Sequence, residues 1–133
     1  MKFENERPDK LKGSTYKIKT PNCEHAMYVT INDIVVNKDS DSEEVVPYEV
    51  FLNSKNMEHH QWVVALTRTI SSVFMNGGDT IILVEELKNV FDPKGGYFKK
   101  GGVYMPSLVA EIGCIIEQHL IGLGKIKAKT RKD

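Results

Sequence analysis

Apolar and polar residues alternate with a period of two in three early stretches, which is the signature of half-buried strands. From Thr15 to Thr20, Tyr16 and Ile18 share one face and Lys17 and Lys19 the other, until Pro21-Asn22 breaks the pattern. From Ala26 to Val36 the same period turns Met27, Val29 and Ile31 inward, which predicts an antiparallel hairpin with the first stretch. Asn37 to Glu44 reads as a solvated connection, and Tyr48 to Asn53 alternates again as a third antiparallel strand.

After Ser54 the period becomes helical. Asn56 is the expected N-cap of a long helix whose stripe of Trp62, Leu66, Ile70 and Val73 runs to Asn76-Gly77-Gly78, with Trp62 in the core. Asp79 should cap a second helix from Thr80, with Leu83, Leu87, Val90 and Phe91 on one stripe and Glu85 and Glu86 outward, until Asp92-Pro93 stops it. Lys94 to Tyr104 carries two Gly-Gly pairs and reads as a loop or short hairpin. Pro106 suits the first turn of a third helix, with Leu108, Ile112, Ile115, His119 and Leu123 as its stripe and Gly124 as its end. Strands first and helices afterwards predict an α+β fold, a small antiparallel sheet of about three strands plus a hairpin packed against three helices. This order argues against a parallel nucleotide-binding sheet.

At 133 residues the chain reads as one domain, with an N-terminal arm over 1–12 and a basic tail over 125–133. Eighteen basic and eighteen acidic residues cancel, so no whole-molecule field recruits nucleic acid, and that partner is disfavoured. The charge is nevertheless uneven: five basic residues and one acidic fall in 125–133, and six acidic with one basic in 33–49. The tail reads as a solvated end, with a phosphate or acidic partner as the alternative. No apolar stretch approaches the roughly 20 residues of a membrane span, and the first twelve residues are polar, so the expectation is a cytoplasmic protein without a membrane partner. Cys23 and Cys114 form no Cys-x-x-Cys pair, which fits a reducing compartment and no structural metal site.

Two regions carry candidate chemistry. Lys94, Gly95, Gly96 and Lys99 could cradle an anion through amides and lysines, yet the run lacks Gly-Lys-Ser/Thr and no helix follows it directly, so a glycine-enabled hairpin is the main reading. Lys55, Asn56 and His59 stand where a strand hands over to a helix; capping explains much of that polarity, and a binding edge is the other reading. Cys114 and His119 fall inside the third helical pattern and read as a buried small hydrophobe and a satisfied interior histidine. With no nucleophile elbow and no facing carboxylate pair, no catalytic residue is assigned.

Ordered blocks then add what composition does not. Arg7 to Pro21, Ala26 to Asp33, Pro47 to Glu58 and Phe91-Asp92-Pro93-Lys94-Gly95-Gly96-Tyr97 resemble the small, separately encoded chain of split adenosylcobalamin-dependent (class II) ribonucleotide reductases and the C-terminal TSCPD domain of unsplit ones. The likeness runs from about residue 7 to residue 121. Where that family carries Thr-Ser-Cys-Pro-Asp, this chain has Tyr104-Met105-Pro106-Ser107-Leu108, so no role of the family cysteine transfers. The resemblance implies an accessory, non-catalytic part of a ribonucleoside-diphosphate reductase whose large catalytic chain is the partner. Adenosylcobalamin then belongs to the complex, with no cofactor bound by this chain alone. The alternatives are a stand-alone nucleotide-binding or protein-interaction module, with Lys55, Asn56, His59 and the Lys94 to Lys100 loop as contacts, and a homo-oligomer.

Overall fold

The structure is a computed structural model that describes residues 7–21, 25–55 and 60–125. Its elements are β1 (Lys12–Ile18), β2 (Met27–Val36), β3 (Glu44–Asn53), α1 (His60–Met75), α2 (Thr80–Lys88), β4 (Tyr97–Phe98), β5 (Tyr104–Met105) and α3 (Leu108–Gly122). The first three strands form an antiparallel sheet in the order β1-β2-β3, and β4 and β5 form a separate hairpin. The α+β architecture expected from the pattern is the one observed.

Alternation sets the register. Ile18 lies opposite Met27, Tyr16 opposite Val29, and Ile31 opposite Val50, so one face of the sheet is continuously apolar. Onto that face pack Ile70 and Phe74 of α1, Val84 and Leu87 of α2, and Ile112, Ile115, Ile116 and Leu120 of α3. At roughly 25 cal/mol per Å² of apolar surface removed from water, this cluster is the main source of stability.

β3 is longer than its alternation suggests. It begins at Glu44 and runs through Pro47, with a bulge where β2 passes Asn32 and Asp33. Proline is tolerated because β3 is an edge strand, where a missing N–H need not cost a ladder bond. β1 likewise starts earlier, at Lys12, and ends at Ile18. The free edge of β3 is covered by α1: the Val50 amide donates to Ser71 Oγ (3.0 Å), and the Ser71 hydroxyl donates back to the Val50 carbonyl (3.2 Å).

That placement corrects the expected stripe of the first helix. Ile70 and Phe74 are buried and Leu66 packs against the core, whereas Trp62 is 68% exposed. A helix seated on a strand edge spends part of its inner face on hydroxyls, which shifts its apolar stripe away from Trp62. The cap expected at Asn56 lies outside the described residues, as do Cys23, His59 and the tail beyond Lys125.

Asp79 caps α2 as expected, its carboxylate accepting from the amides of Ile81 and Ile82 at 3.0 Å. The helix ends at Lys88 with Asn89 as C-cap, earlier than the pattern indicates, so Val90 and Phe91 are exposed. At α3 the cap is Ser107, with Pro106 preceding it. Ser107 Oγ accepts from the Ala110 amide (3.0 Å) and donates to the Val90 carbonyl (2.6 Å), which ties the end of the α2 segment to the start of α3.

Candidate functional site

The hairpin over 92–106 is built by short-range hydrogen bonds that its sequence dictates. Asp92 Oδ1 accepts from the Lys94 amide (2.9 Å), the Asp92 carbonyl accepts from the Gly95 amide (2.8 Å), and the Asp92 amide donates to the Pro106 carbonyl (3.0 Å). The turn places Gly95 at φ +96°, a conformation that favours glycine. Gly96 donates its amide to the Tyr104 hydroxyl (3.0 Å), and a Cβ at this position would lie 2.0 Å from the Met105 carbonyl oxygen. The amides of Lys94, Gly95 and Gly96 are thus each directed at an oxygen of the hairpin itself.

Strand alternation then sends Tyr97 and Met105 inward and Phe98 and Tyr104 outward. The Tyr97 hydroxyl donates to Glu111 Oε1 at 2.5 Å, and Lys99 Nζ lies 3.2 Å from Glu111 Oε2. Glu111 is only 3% exposed and stands in the first turn of α3, where the helix dipole favours a carboxylate. Burial, and then the bond to this carboxylate, push the Tyr97 phenol well above its usual range. Tyr97 and Lys99 therefore clamp the hairpin onto α3.

Of the residues singled out by sequence, Lys94, Gly95, Gly96 and Lys99 share this hairpin, and Lys99 is engaged by Glu111. Lys55 is exposed just past the end of β3, and among the described residues no hydrogen bond or ion pair joins it to the hairpin. Asn56 and His59 lie outside the described residues. Lys94 and Lys100 are exposed and in no ion pair among the described residues.

Two interior polar clusters were not foreseeable as such. His119 is buried, as its place on the α3 stripe suggests; its Nδ1 lies 2.7 Å from the Tyr16 hydroxyl and its Nε2 lies 2.7 Å from Asp33 Oδ1. This links β1, α3 and β2. On the opposite face of the sheet, Glu49 takes both arms of the Arg7 guanidinium at 2.8 Å and the Asn32 amide at 2.7 Å. The bond from Arg7 holds the Glu49 carboxyl below its usual range, and the Arg7 guanidinium is raised in turn. Spacing gives no signal for these partners; the clue is only that His119 must be paired if buried. Both His119 nitrogens are occupied within the protein, so the cluster positions three elements and offers no open base to a substrate. Cys114, expected to be buried, is half-buried; its thiol is pushed up by burial, which disfavours the thiolate a nucleophile needs.

Three cavities border these elements. One of about 310 Å³ lies between Val46, Phe74, Ile81 and Leu120, with the Lys125–Glu44 ion pair at its rim. A second, about 530 Å³, separates β3 from α1 at Phe51, Val64 and Arg68, and a third, about 590 Å³, lies beside Leu11 and Ile34. Each is small-molecule sized. Among the described residues no group of three or more His, Cys, Asp or Glu side chains is placed to hold a metal ion, and no helix is long and apolar enough to cross a membrane.

Comparison with known families matches residues 1–120 to the TSCPD domain, and the chain belongs to that family. This domain is found in class II ribonucleotide reductases, which gives the chain a ribonucleotide reductase-related role. No curated protein and no solved structure matches it significantly. The stretch at which the resemblance locates the family signature, residues 104–108, is the β5-to-α3 junction, where Ser107 supplies the helix cap.

Proposed function

From membership of the TSCPD family we infer that this chain is an accessory subunit of an adenosylcobalamin-dependent ribonucleoside-diphosphate reductase, supporting deoxyribonucleotide synthesis by a large catalytic chain. The observation that carries the reading is the family match itself, which spans residues 1–120 of the 133 and takes in the sheet, the hairpin, the first two helices and all but the last two residues of α3. Reduction of a ribose by a thiyl radical and a cysteine pair requires at least three thiols in set places, and this sequence has two cysteines. The reacting groups therefore reside on the partner.

Adenosylcobalamin is implied for the complex, and the three cavities found among the described residues do not fit it. The largest of the three cavities is about 590 Å³, too little to enclose a corrinoid together with its nucleotide loop. The part left to this chain is assembly: binding the large chain and holding the reductase in its competent form.

The reading is tested by mixing the purified chain with a class II large chain that lacks this domain and following the mixture by sedimentation velocity. A discrete heterocomplex supports it. Two species that sediment independently at micromolar concentration contradict it and favour a stand-alone module.

A further inference from the structure

The cavity of about 590 Å³ differs from the other two in its charge. Lys10, Lys12 and Lys38 all line it, with Asp33 as the one acid. None of these three ammonium groups has a hydrogen bond or an ion pair among the described residues. By contrast, Lys125 at the cavity of about 310 Å³ is paired with Glu44, and the remaining cavity has Arg68 as its single cation. A lone solvated lysine calls for no explanation, whereas three that converge on one concave space concentrate anions there.

The fold builds this site from segments that other bonds hold. The Arg7 guanidinium grips Glu49 through two bonds of 2.8 Å and donates to the Pro8 carbonyl (2.8 Å), which anchors the arm over 8–11 and with it Lys10 and Leu11. Lys12 opens β1 and stands opposite Asp33 of β2 in the register. Lys38 comes from the turn between β2 and β3, where Asn37 and Asp39 take φ values of +53° and +63° and the Ser40 hydroxyl donates to the Asn37 carbonyl at 2.6 Å. Val35 and Val45, paired across β2 and β3 and 45% and 38% exposed, give the cavity an apolar side. Asp9 and Asp39 flank Lys10 and Lys38 in sequence, yet neither lines the cavity.

Size and charge narrow the ligand. The volume suits a small organic molecule. Three ammonium groups suit several negative charges on neighbouring atoms, as a di- or triphosphate carries them. Leu11 and the two valines offer contact to a flat ring. Asp33, whose Oδ1 is held by His119 Nε2 at 2.7 Å, adds a fixed acceptor for hydroxyl or amino hydrogens. An inorganic polyphosphate would use only the first of these features, and a nucleoside polyphosphate uses all of them.

We propose that this cavity binds a nucleoside di- or triphosphate, with the phosphates on Lys10, Lys12 and Lys38 and the base against Leu11, Val35 and Val45. The site belongs to this chain alone and does not depend on the subunit reading.

Titration calorimetry of the full chain with ATP, inorganic tripolyphosphate and adenosine tests it. ATP should bind at one site, at least tenfold more tightly than either of the other two, and should weaken as salt rises. The triple variant Lys10→Ala, Lys12→Ala, Lys38→Ala should lose tenfold or more in ATP affinity. The three side chains are exposed and unpaired, so its melting temperature should stay with that of the wild type. Leu11→Ser should lose threefold or more for ATP and stay within twofold for tripolyphosphate. Lys94→Ala with Lys100→Ala removes hairpin cations that lie outside the lining and should bind ATP within twofold of the wild type.

ATP that fails to bind at millimolar concentration overturns the proposal, as does ATP that binds no more tightly than tripolyphosphate. A folded lysine variant within twofold of the wild type overturns it too, and so does binding lost in the hairpin variant instead. Sedimentation with the large chain decides the subunit reading separately.

Discussion

His119 Nε2 lies 2.7 Å from Asp33 Oδ1, joining the last helix to a strand residue 86 positions earlier in the chain. One ring nitrogen faces the carboxylate and the other the Tyr16 hydroxyl, so each of these buried polar atoms has its partner. His119→Ala strips both partners at once and leaves a half-buried carboxylate without its donor. The expected cost is about 2–4 kcal/mol. Tyr16→Phe removes only the neutral bond and should cost about 1 kcal/mol. Urea unfolding measures both; a His119→Ala midpoint equal to that of the wild type would show that the cluster does not hold the sheet to α3.

Tyr97→Phe deletes the hydroxyl that donates to Glu111 while keeping the ring. The buried carboxylate then retains Lys99 alone, and the expected loss is about 1–3 kcal/mol. The phenol also sets an alkaline limit. Its folded pKa is raised, so its contribution is complete below the unfolded value near 10 and is lost as pH rises beyond that value, where only the unfolded chain ionises. Stability measured against pH should fall less steeply above pH 10 in Tyr97→Phe than in the wild type. Parallel curves would contradict the clamp.

At the acid end the same linkage acts through Glu49. Its folded pKa is depressed, chiefly by Arg7, so the pair stabilises fully above the unfolded carboxyl value near 4.5 and the stabilisation is lost as pH falls through the folded value. Glu49→Gln should lower the melting temperature at neutral pH and flatten its decline below about pH 4.5. A variant whose melting curve tracks the wild type at every pH would remove Glu49 from the account.

Gly96→Ala tests the close approach in the hairpin. The added Cβ would meet the Met105 carbonyl at 2.0 Å, so the backbone must shift; overpacking of this kind costs about 1–3 kcal/mol. Gly122→Ala is its control. This residue ends α3 with open space around it, and alanine there should be neutral or stabilise by up to about 1 kcal/mol. Equal melting temperatures for the two variants would show that the hairpin tolerates a side chain at 96.

The strands, the hairpin and the three helices were legible because periodicity reports which face meets the core, as at Val29, Ile31, Val50 and Ile112. The phase of α1 was not, because its inner face includes Ser71, a polar residue bonded to the β3 edge, and a hydropathy stripe assigns such residues to solvent. The burial of Glu49 and Glu111 was not legible either. Each is an acid that composition turns outward, and each is buried against a cation distant in sequence, Arg7 for one, or on a neighbouring element, Lys99 for the other. The glycine run was legible as a hairpin. That its amides are consumed internally depended on Asp92 Oδ1 and the Tyr104 hydroxyl, whose reach no spacing rule provides.

In the proposed role this chain acts through a larger catalytic partner. The most direct measurement is the rate of adenosylcobalamin-dependent deoxynucleotide formation by the purified large chain, by this chain alone, and by the two mixed at increasing ratio. The account predicts no turnover by this chain alone and a rate for the mixture that rises and saturates near a fixed stoichiometry. A large chain as active without this chain as with it, or turnover of a ribonucleotide by this chain alone, would contradict it.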